Sequence, residues 1–209
     1  VQLTDSNGCI SYDTINLTVN QLPAVYAGLD TSICYGDSII LSGSGALVYN
    51  WTNSNYSIFD NIPFSPIQSG NYNLEGIDSN GCINYDSVNV NINLLPNVYA
   101  GLDQIICYGD STLFTGSGGV NYIWSGGILD SVVFIPDTNS LYTVTGTDSN
   151  GCVNYDTAAI FINSLPIVDA GLDTSICIFD SIALFGSGAQ SYSWSSGLIN
   201  GNLFLPDSN

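Results

Sequence analysis

The residues able to do chemistry in this chain are few in kind: six cysteines, 17 aspartates and one glutamate among 209 residues, with no lysine, arginine or histidine. Cys9, Cys82 and Cys152 each end the same pentapeptide, Asp-Ser-Asn-Gly-Cys, and the interval from one copy to the next is nearly constant. Cys34, Cys107 and Cys177 each follow one of them at a single fixed offset. A structural zinc site needs ligands clustered at short spacing, and the redox motif is Cys-x-x-Cys; the sequence has neither. Regular cysteines without histidine read instead as disulfides formed in an oxidising compartment.

The carboxylates exclude more than they suggest. With no cation to neutralise a phosphate, the footprint of nucleic-acid binding is missing, and anionic membrane surfaces are equally poor partners. No apolar run approaches the roughly 18 residues of a membrane helix, so direct insertion is not expected. A net charge of −18 favours an extended, soluble chain sensitive to ionic strength. Disorder is the other reading of high charge, but 45% hydrophobic residues and 13 tyrosines oppose it. Catalysis would have to come from a carboxylate pair of glycosidase type. The aspartates recur in register, Asp30, Asp37, Asp60, Asp78 and Asp86 against Asp103, Asp110, Asp130, Asp148 and Asp156. No pair belongs to a single site, and no enzyme is expected.

The elements that position these residues follow from the repetition, which outranks length as a guide to domain count. Leu22-Pro23, Leu95-Pro96 and Leu165-Pro166 mark the joints. Residues 1–20 read as the C-terminal part of a repeat, 21–93 and 94–163 as complete repeats, and 164–209 as the N-terminal part of another. The window therefore reads as a slice of something longer. Ile15, Leu17 and Val19 alternate with polar residues, as do Val88, Val90 and Ile92, which predicts strands buried on one face. Asn-Gly between alternating runs predicts a hairpin with a type I′ turn, both residues taking positive φ. One tryptophan per repeat, Trp51, Trp124 and Trp194, reads as the core anchor of a small sandwich. The fold expected is all-β: a tandem array of small immunoglobulin-like or PKD-like β-sandwich domains, about seven short strands in each.

The succession Leu95-Pro96, Ala100-Gly101-Leu102-Asp103, Cys107-Tyr108-Gly109-Asp110, Tyr122-Ile123-Trp124, Leu141-Tyr142-Thr143-Val144 and Thr147-Asp148-Ser149-Asn150-Gly151-Cys152 resembles the PKD-like and immunoglobulin-like repeats of giant bacterial surface adhesins of the SprB-like gliding type. The resemblance covers the whole chain. It implies a stalk or filament segment at the bacterial cell surface, exported by the type IX secretion route. Its partners would be neighbouring repeats of the same long chain, other copies in a filament, or polysaccharide. An array of carbohydrate-binding modules is the alternative.

Asp followed by Ser or Thr and then an aliphatic residue or Thr is similar to the general O-glycosylation acceptor motif of such bacteria. It marks Thr14, Ser38, Ser87, Ser111, Ser131, Thr157 and Ser181; the plain alternative is that Asp-Ser is a common way into a strand. Disulfide pairing has two candidates. Pairing within a repeat would join Cys34 to Cys82 and Cys107 to Cys152. In an immunoglobulin-type sandwich, however, those positions lie at opposite ends of strands spanning roughly 23 to 33 Å, while a disulfide needs its Cα atoms within about 7 Å. Head-to-tail stacking would instead bring Cys34 to Cys152 across a joint, with Cys9, Cys82, Cys107 and Cys177 either pairing beyond these residues or left open by truncation. That would also bring Asp37 near Asp148, weak candidates for Ca²⁺; otherwise no metal or cofactor is expected.

Overall fold

A computed structural model of the chain describes residues 1–206. Among the described residues fourteen strands run in order, and there is no α-helix. They are β1 (Gln2–Thr4), β2 (Ile10–Tyr12), β3 (Thr31–Cys34), β4 (Ile39–Ile40), β5 (Val48–Thr52), β6 (Pro63–Phe64), β7 (Gly70–Ile77) and β8 (Ile83–Asn93). Then follow β9 (Gln104–Cys107), β10 (Asn121–Trp124), β11 (Ser140–Thr147), β12 (Val153–Asn163), β13 (Ile182–Ala183) and β14 (Leu203–Phe204).

In the first complete repeat one sheet has the order β3-β8-β7-β5 and a second pairs β4 with β6. β3 runs parallel to β8, from Thr31 beside Val90 to Cys34 beside Asn93; β7 is antiparallel to both β8 and β5. The segment before β3 bridges elsewhere, Tyr26 to Ser44. The chain thus begins away from this sheet and crosses into it, where it lies parallel to the last strand, which is an immunoglobulin-like sandwich topology. The second repeat repeats the sheet as β10-β11-β12-β9, with the bridges Tyr99 to Ser117 and Thr112 to Phe134.

Alternation explains the core. On β8, Val88 and Val90 are buried and Ile92 half-buried, while Ser87, Asn89 and Asn91 face out. They pack with Ala27, Leu41, Trp51, Ile58, Tyr72 and Leu74. The second repeat buries Ala100, Phe114, Trp124, Val144, Ala158 and Ile160. Trp51 and Trp124 are therefore both core residues. Trp194 is only half-buried, because no counterpart of β7 and β8 follows it among the described residues.

The same reason corrects the reading of Ile15, Leu17 and Val19. Their alternation matches β8, yet 13–20 forms no strand and all three side chains are exposed. A strand is a paired object, and no described strand lies alongside this segment.

By contacts the described chain divides into two compact units. One holds Val1–Val98 with Gly118–Asn121 and Gly146–Asn154; the other holds Tyr99–Ser117, Tyr122–Thr145 and the residues from Tyr155 onward.

Candidate functional site

The hairpin that carries each Asp-Ser-Asn-Gly-Cys motif is built by its aspartate. Asp148 Oδ1 accepts from the backbone N–H of Asn150 and of Cys152, both at 2.8 Å. The Asp148 N–H donates to Cys152 O at 2.9 Å and Gly151 N–H to Asp148 O at 3.2 Å. Of the turn residues only Gly151 has positive φ, +83°. This corrects the type I′ expectation: the loop is a type I turn followed by a left-handed glycine, the form the Asp cap favours because its side chain accepts from the turn's own backbone. The motifs at Asp5 and Asp78 make the same side-chain bonds, at 2.8 to 2.9 Å.

The partner cysteine is set by the parallel pairing. Cys34 ends β3 opposite Asn93, the last residue of β8. The chain then turns through Tyr35 and Gly36, with Asp37 N–H closing on Cys34 O at 3.0 Å and Gly36 at φ +95°. Cys107 stands the same way opposite Asn163, with Asp110 N–H on Cys107 O. In the last copy Phe179 takes the glycine's place at φ +72°.

The structure joins Cys34 to Cys152, with Cα atoms 5.5 Å apart and a sequence separation of 118. Cys152 is wholly buried and both cysteines fall in the same compact unit. The within-repeat alternative, Cys34 with Cys82 and Cys107 with Cys152, is not formed. Cys82 immediately precedes β8 while Cys34 sits at its far end, and a strand of 11 residues spans about 36 Å. Cys9, Cys82, Cys107 and Cys177 have no disulfide partner among the described residues.

The calcium candidates Asp37 and Asp148 gain no further ligand. Asp148 already holds its hairpin, and among the described residues no three acidic, thiol or imidazole groups converge. All seven glycosylation candidates, Thr14, Ser38, Ser87, Ser111, Ser131, Thr157 and Ser181, are exposed. Ser87 and Thr157 lie in the middle of β8 and β12 rather than at a strand entrance.

Several aspartates have structural roles that their type alone did not reveal. On β8, Asp86 and Asn84 continue the inward register of Val88 and Val90. Asp86 Oδ2 accepts from Ala27 N–H at 2.8 Å, and Asn84 Nδ2 donates to Pro23 O at 2.9 Å. Asp156 and Asn154 do the same to Ala100 and Pro96. The Ala100 and Thr157 N–H groups hold the Asp156 pKa below its ordinary value against a small opposing effect of burial. Asp30 and Asp103 accept from Asn89 and Ala159 N–H at the start of the parallel pairing, so the Ala-Gly-Leu-Asp motif is the sheet-crossing kink.

Each tryptophan is held by a side-chain oxygen from the connection after it. Asp60 Oδ1 accepts from Trp51 Nε1 at 2.9 Å and Gly43 N at 2.7 Å, and Asp130 Oδ1 from Trp124 Nε1 and Gly116 N at the same distances. Asn200 fills the position for Trp194 and Gly186. Burial pushes the Asp130 carboxyl up, but hydrogen bonds from Gly116, Trp124 and Ser131 outweigh it and hold the pKa below its ordinary value. The signal was in the sequence as Trp with Asp or Asn nine, six and six positions later.

No protein-family model matches the chain, and no curated protein does. Among solved structures it is similar to the insect immune protein hemolin, at 16% identity and a TM-score of 0.39 over 73% of this chain and 49% of that one. It is also similar to the N-terminal eight immunoglobulin domains of Down syndrome cell adhesion molecule, at 14% identity and a TM-score of 0.34 over 79% and 32%. A third is immunoglobulin domains 1–4 of sidekick-1, at 12% and 0.30 over 79% and 59%. The chain spans about half the length of the hemolin chain and a third of the cell-adhesion chain. No described helix is long and apolar enough to cross a membrane.

Proposed function

We propose that the chain is a structural and adhesive segment of a long cell-surface protein, a tandem array of immunoglobulin-like repeats with no catalytic role. The observation that carries this reading is the Cys34–Cys152 bond, which ties a cysteine of one sequence repeat to a cysteine of the next. A covalent tie between successive repeats serves a protein that bears load or spans distance outside the cell, where disulfides persist. The surface rich in exposed Ser, Thr, Asn and Asp fits a solvated, glycosylated stalk. The bacterial, type IX-exported adhesin class belongs to the same proposal and rests on the motif resemblance. Gold-labelled antibody against the chain, imaged on intact source cells by negative stain, tests it: label on projecting rods or filaments supports the reading, and label confined to lysed cells overturns it.

A second reading, an array of carbohydrate-binding modules, has one observation in its favour. Tyr85 is exposed on β8 and donates its hydroxyl to Glu75 Oε2, whose Oε1 accepts from Asn50 Nδ2, both at 3.0 Å. That is a flat aromatic beside fixed polar groups. The second repeat keeps Tyr155 but carries Ile123 and Thr145 where the first has Asn50 and Glu75. A glycan array probed with the chain separates the readings: saturable binding lost in Tyr85→Ala supports modules, and no binding supports the stalk.

A further inference from the structure

The Cys34–Cys152 pair occupies two positions that recur in the chain. We propose that Cys82 and Cys107 are halves of two further links of the same kind, each to a cysteine of an adjoining repeat, so that the bonds form two interleaved covalent tracks along the array. This rests on the tandem-array reading above.

Cys107 repeats the setting of Cys34: it ends β9 opposite Asn163, Tyr108 N–H donates to Asn163 O at 2.9 Å, and Asp110 N–H donates to Cys107 O at 3.0 Å. For Cys34 the corresponding bonds, Tyr35 N–H to Asn93 O and Asp37 N–H to Cys34 O, are 2.8 and 3.0 Å. Cys82 repeats the setting of Cys152, its N–H on Asp78 Oδ1 at 2.8 Å as that of Cys152 is on Asp148 Oδ1. Cys107 is exposed and Cys82 half-buried as a free thiol, against the complete burial of bonded Cys152. The partner of Cys107 is a hairpin cysteine of the Asp-Ser-Asn-Gly-Cys kind in the repeat that follows. The partner of Cys82 is a turn cysteine of the Cys34 kind in the repeat that precedes. Each link forms by exchange with a small disulfide: two protein thiols become one disulfide, and the reagent leaves as two thiols carrying the two protons.

The links overlap. The stretch closed by Cys34 and Cys152 contains both Cys82 and Cys107. A pull entering at Cys34 crosses to Cys152, runs along the chain to Cys177 and crosses again. A pull entering at Cys82 runs along the chain to Cys107 and crosses there. The two tracks share no disulfide. Each exposes to tension one short stretch in every two repeats, roughly 25 residues and at most about 85 Å long, so unfolding a domain releases almost no length.

The test is peptide mapping of the native protein from its source cells, alkylated and digested with pepsin without reduction. The expected result is Cys107 linked to a peptide containing Asp-Ser-Asn-Gly-Cys and Cys82 linked to a peptide from a turn of the Cys34 type. Cys82 linked to Cys107, or either recovered as an alkylated free thiol, overturns the proposal while leaving surface labelling, and hence the stalk reading, untouched. Stretching the 209-residue chain by its ends measures the load bypass separately. The oxidised chain should reach a contour about 400 Å shorter than the reduced one, since a separation of 118 is withdrawn; equal contours overturn the bypass, and Cys34→Ser serves as the control that abolishes the difference.

Discussion

The two complete repeats close one kind of core with different rings. In the second, Phe114 stacks on Trp124 at 5.1 Å with 15° between planes, and Phe134 and Tyr142 pack against Phe114. In the first, Leu41 holds the position of Phe114, and the missing ring comes from Tyr56, which packs on Phe64 and Tyr72 at 6.0 and 6.4 Å. Tyr56 lies in the connection between β5 and β6, and the Tyr56 hydroxyl accepts from Ile67 N–H at 2.8 Å. The longer connection of the first repeat is therefore tied to its core. A sandwich of about 70 residues is near the lower size for one core, so a ring lost from a strand is replaced from a loop.

Trp124→Ala should cost about 3–5 kcal/mol and open β11 and β12 in native-state hydrogen exchange well before β7 and β8. Tyr56→Ala should do the reverse at smaller scale, about 2 kcal/mol because the ring is only half-buried, loosening β7 and leaving β11 protected. If both repeats respond equally to either change, their cores are not separate.

Asp130→Ala strands an indole N–H and the Gly116 N–H and should cost about 1–3 kcal/mol. Asp130→Asn should cost much less, since Asn200 already performs this role for Trp194. The carboxyl's pKa is lowered in the fold, so its contribution is present above the unfolded value of about 3.9 and is lost as pH falls through the lower folded value. Urea midpoints measured from about pH 6 to about pH 2 should fall less steeply in Asp130→Asn than in the parent. An identical slope would show that the carboxylate contributes nothing to acid sensitivity.

Tyr72→Phe should have the smallest effect, a gain in stability of no more than about 0.5 kcal/mol, because removing a buried polar atom that has no partner relieves a desolvation cost. Among the described residues the buried Tyr72 hydroxyl has no hydrogen-bond partner, and burial, with Tyr56 nearby, pushes the phenol pKa up. A loss above about 1 kcal/mol on this substitution would mean that the hydroxyl is paired, by water for example.

What the sequence made legible was whatever repeats, at two residues along a strand or at the length of a whole repeat. The alternation at Val88, Val90 and Ile92 predicts an inward face, and the register of cysteines predicts a link between repeats, because strand length alone keeps Cys34 from Cys82. Two things stayed hidden for opposite reasons. Asp86 and Asn84 are inward yet polar, so hydrophobic patterning passes over them although they fix the first segment to the last strand. Ile15, Leu17 and Val19 have the pattern but no neighbour, and pattern alone does not supply the pairing that makes a strand. The hairpin turn differs from the type I′ form that Asn-Gly favours because the aspartate two positions earlier decides which turn forms.

That hairpin also governs how the molecule ages. Asn-Gly is a dipeptide prone to slow self-damage in water, since the glycine nitrogen, unhindered by a side chain, can attack the asparagine carboxamide, expel ammonia and leave a kinked isoaspartate. At Asn150 the attacking nitrogen is held elsewhere: Gly151 N–H points at Asp148 O, and the Asn150 N–H is held on the Asp148 carboxylate. The aspartate that sets the turn thus opposes that attack at the Asn150–Gly151 peptide bond, one residue before the disulfide-bonded Cys152.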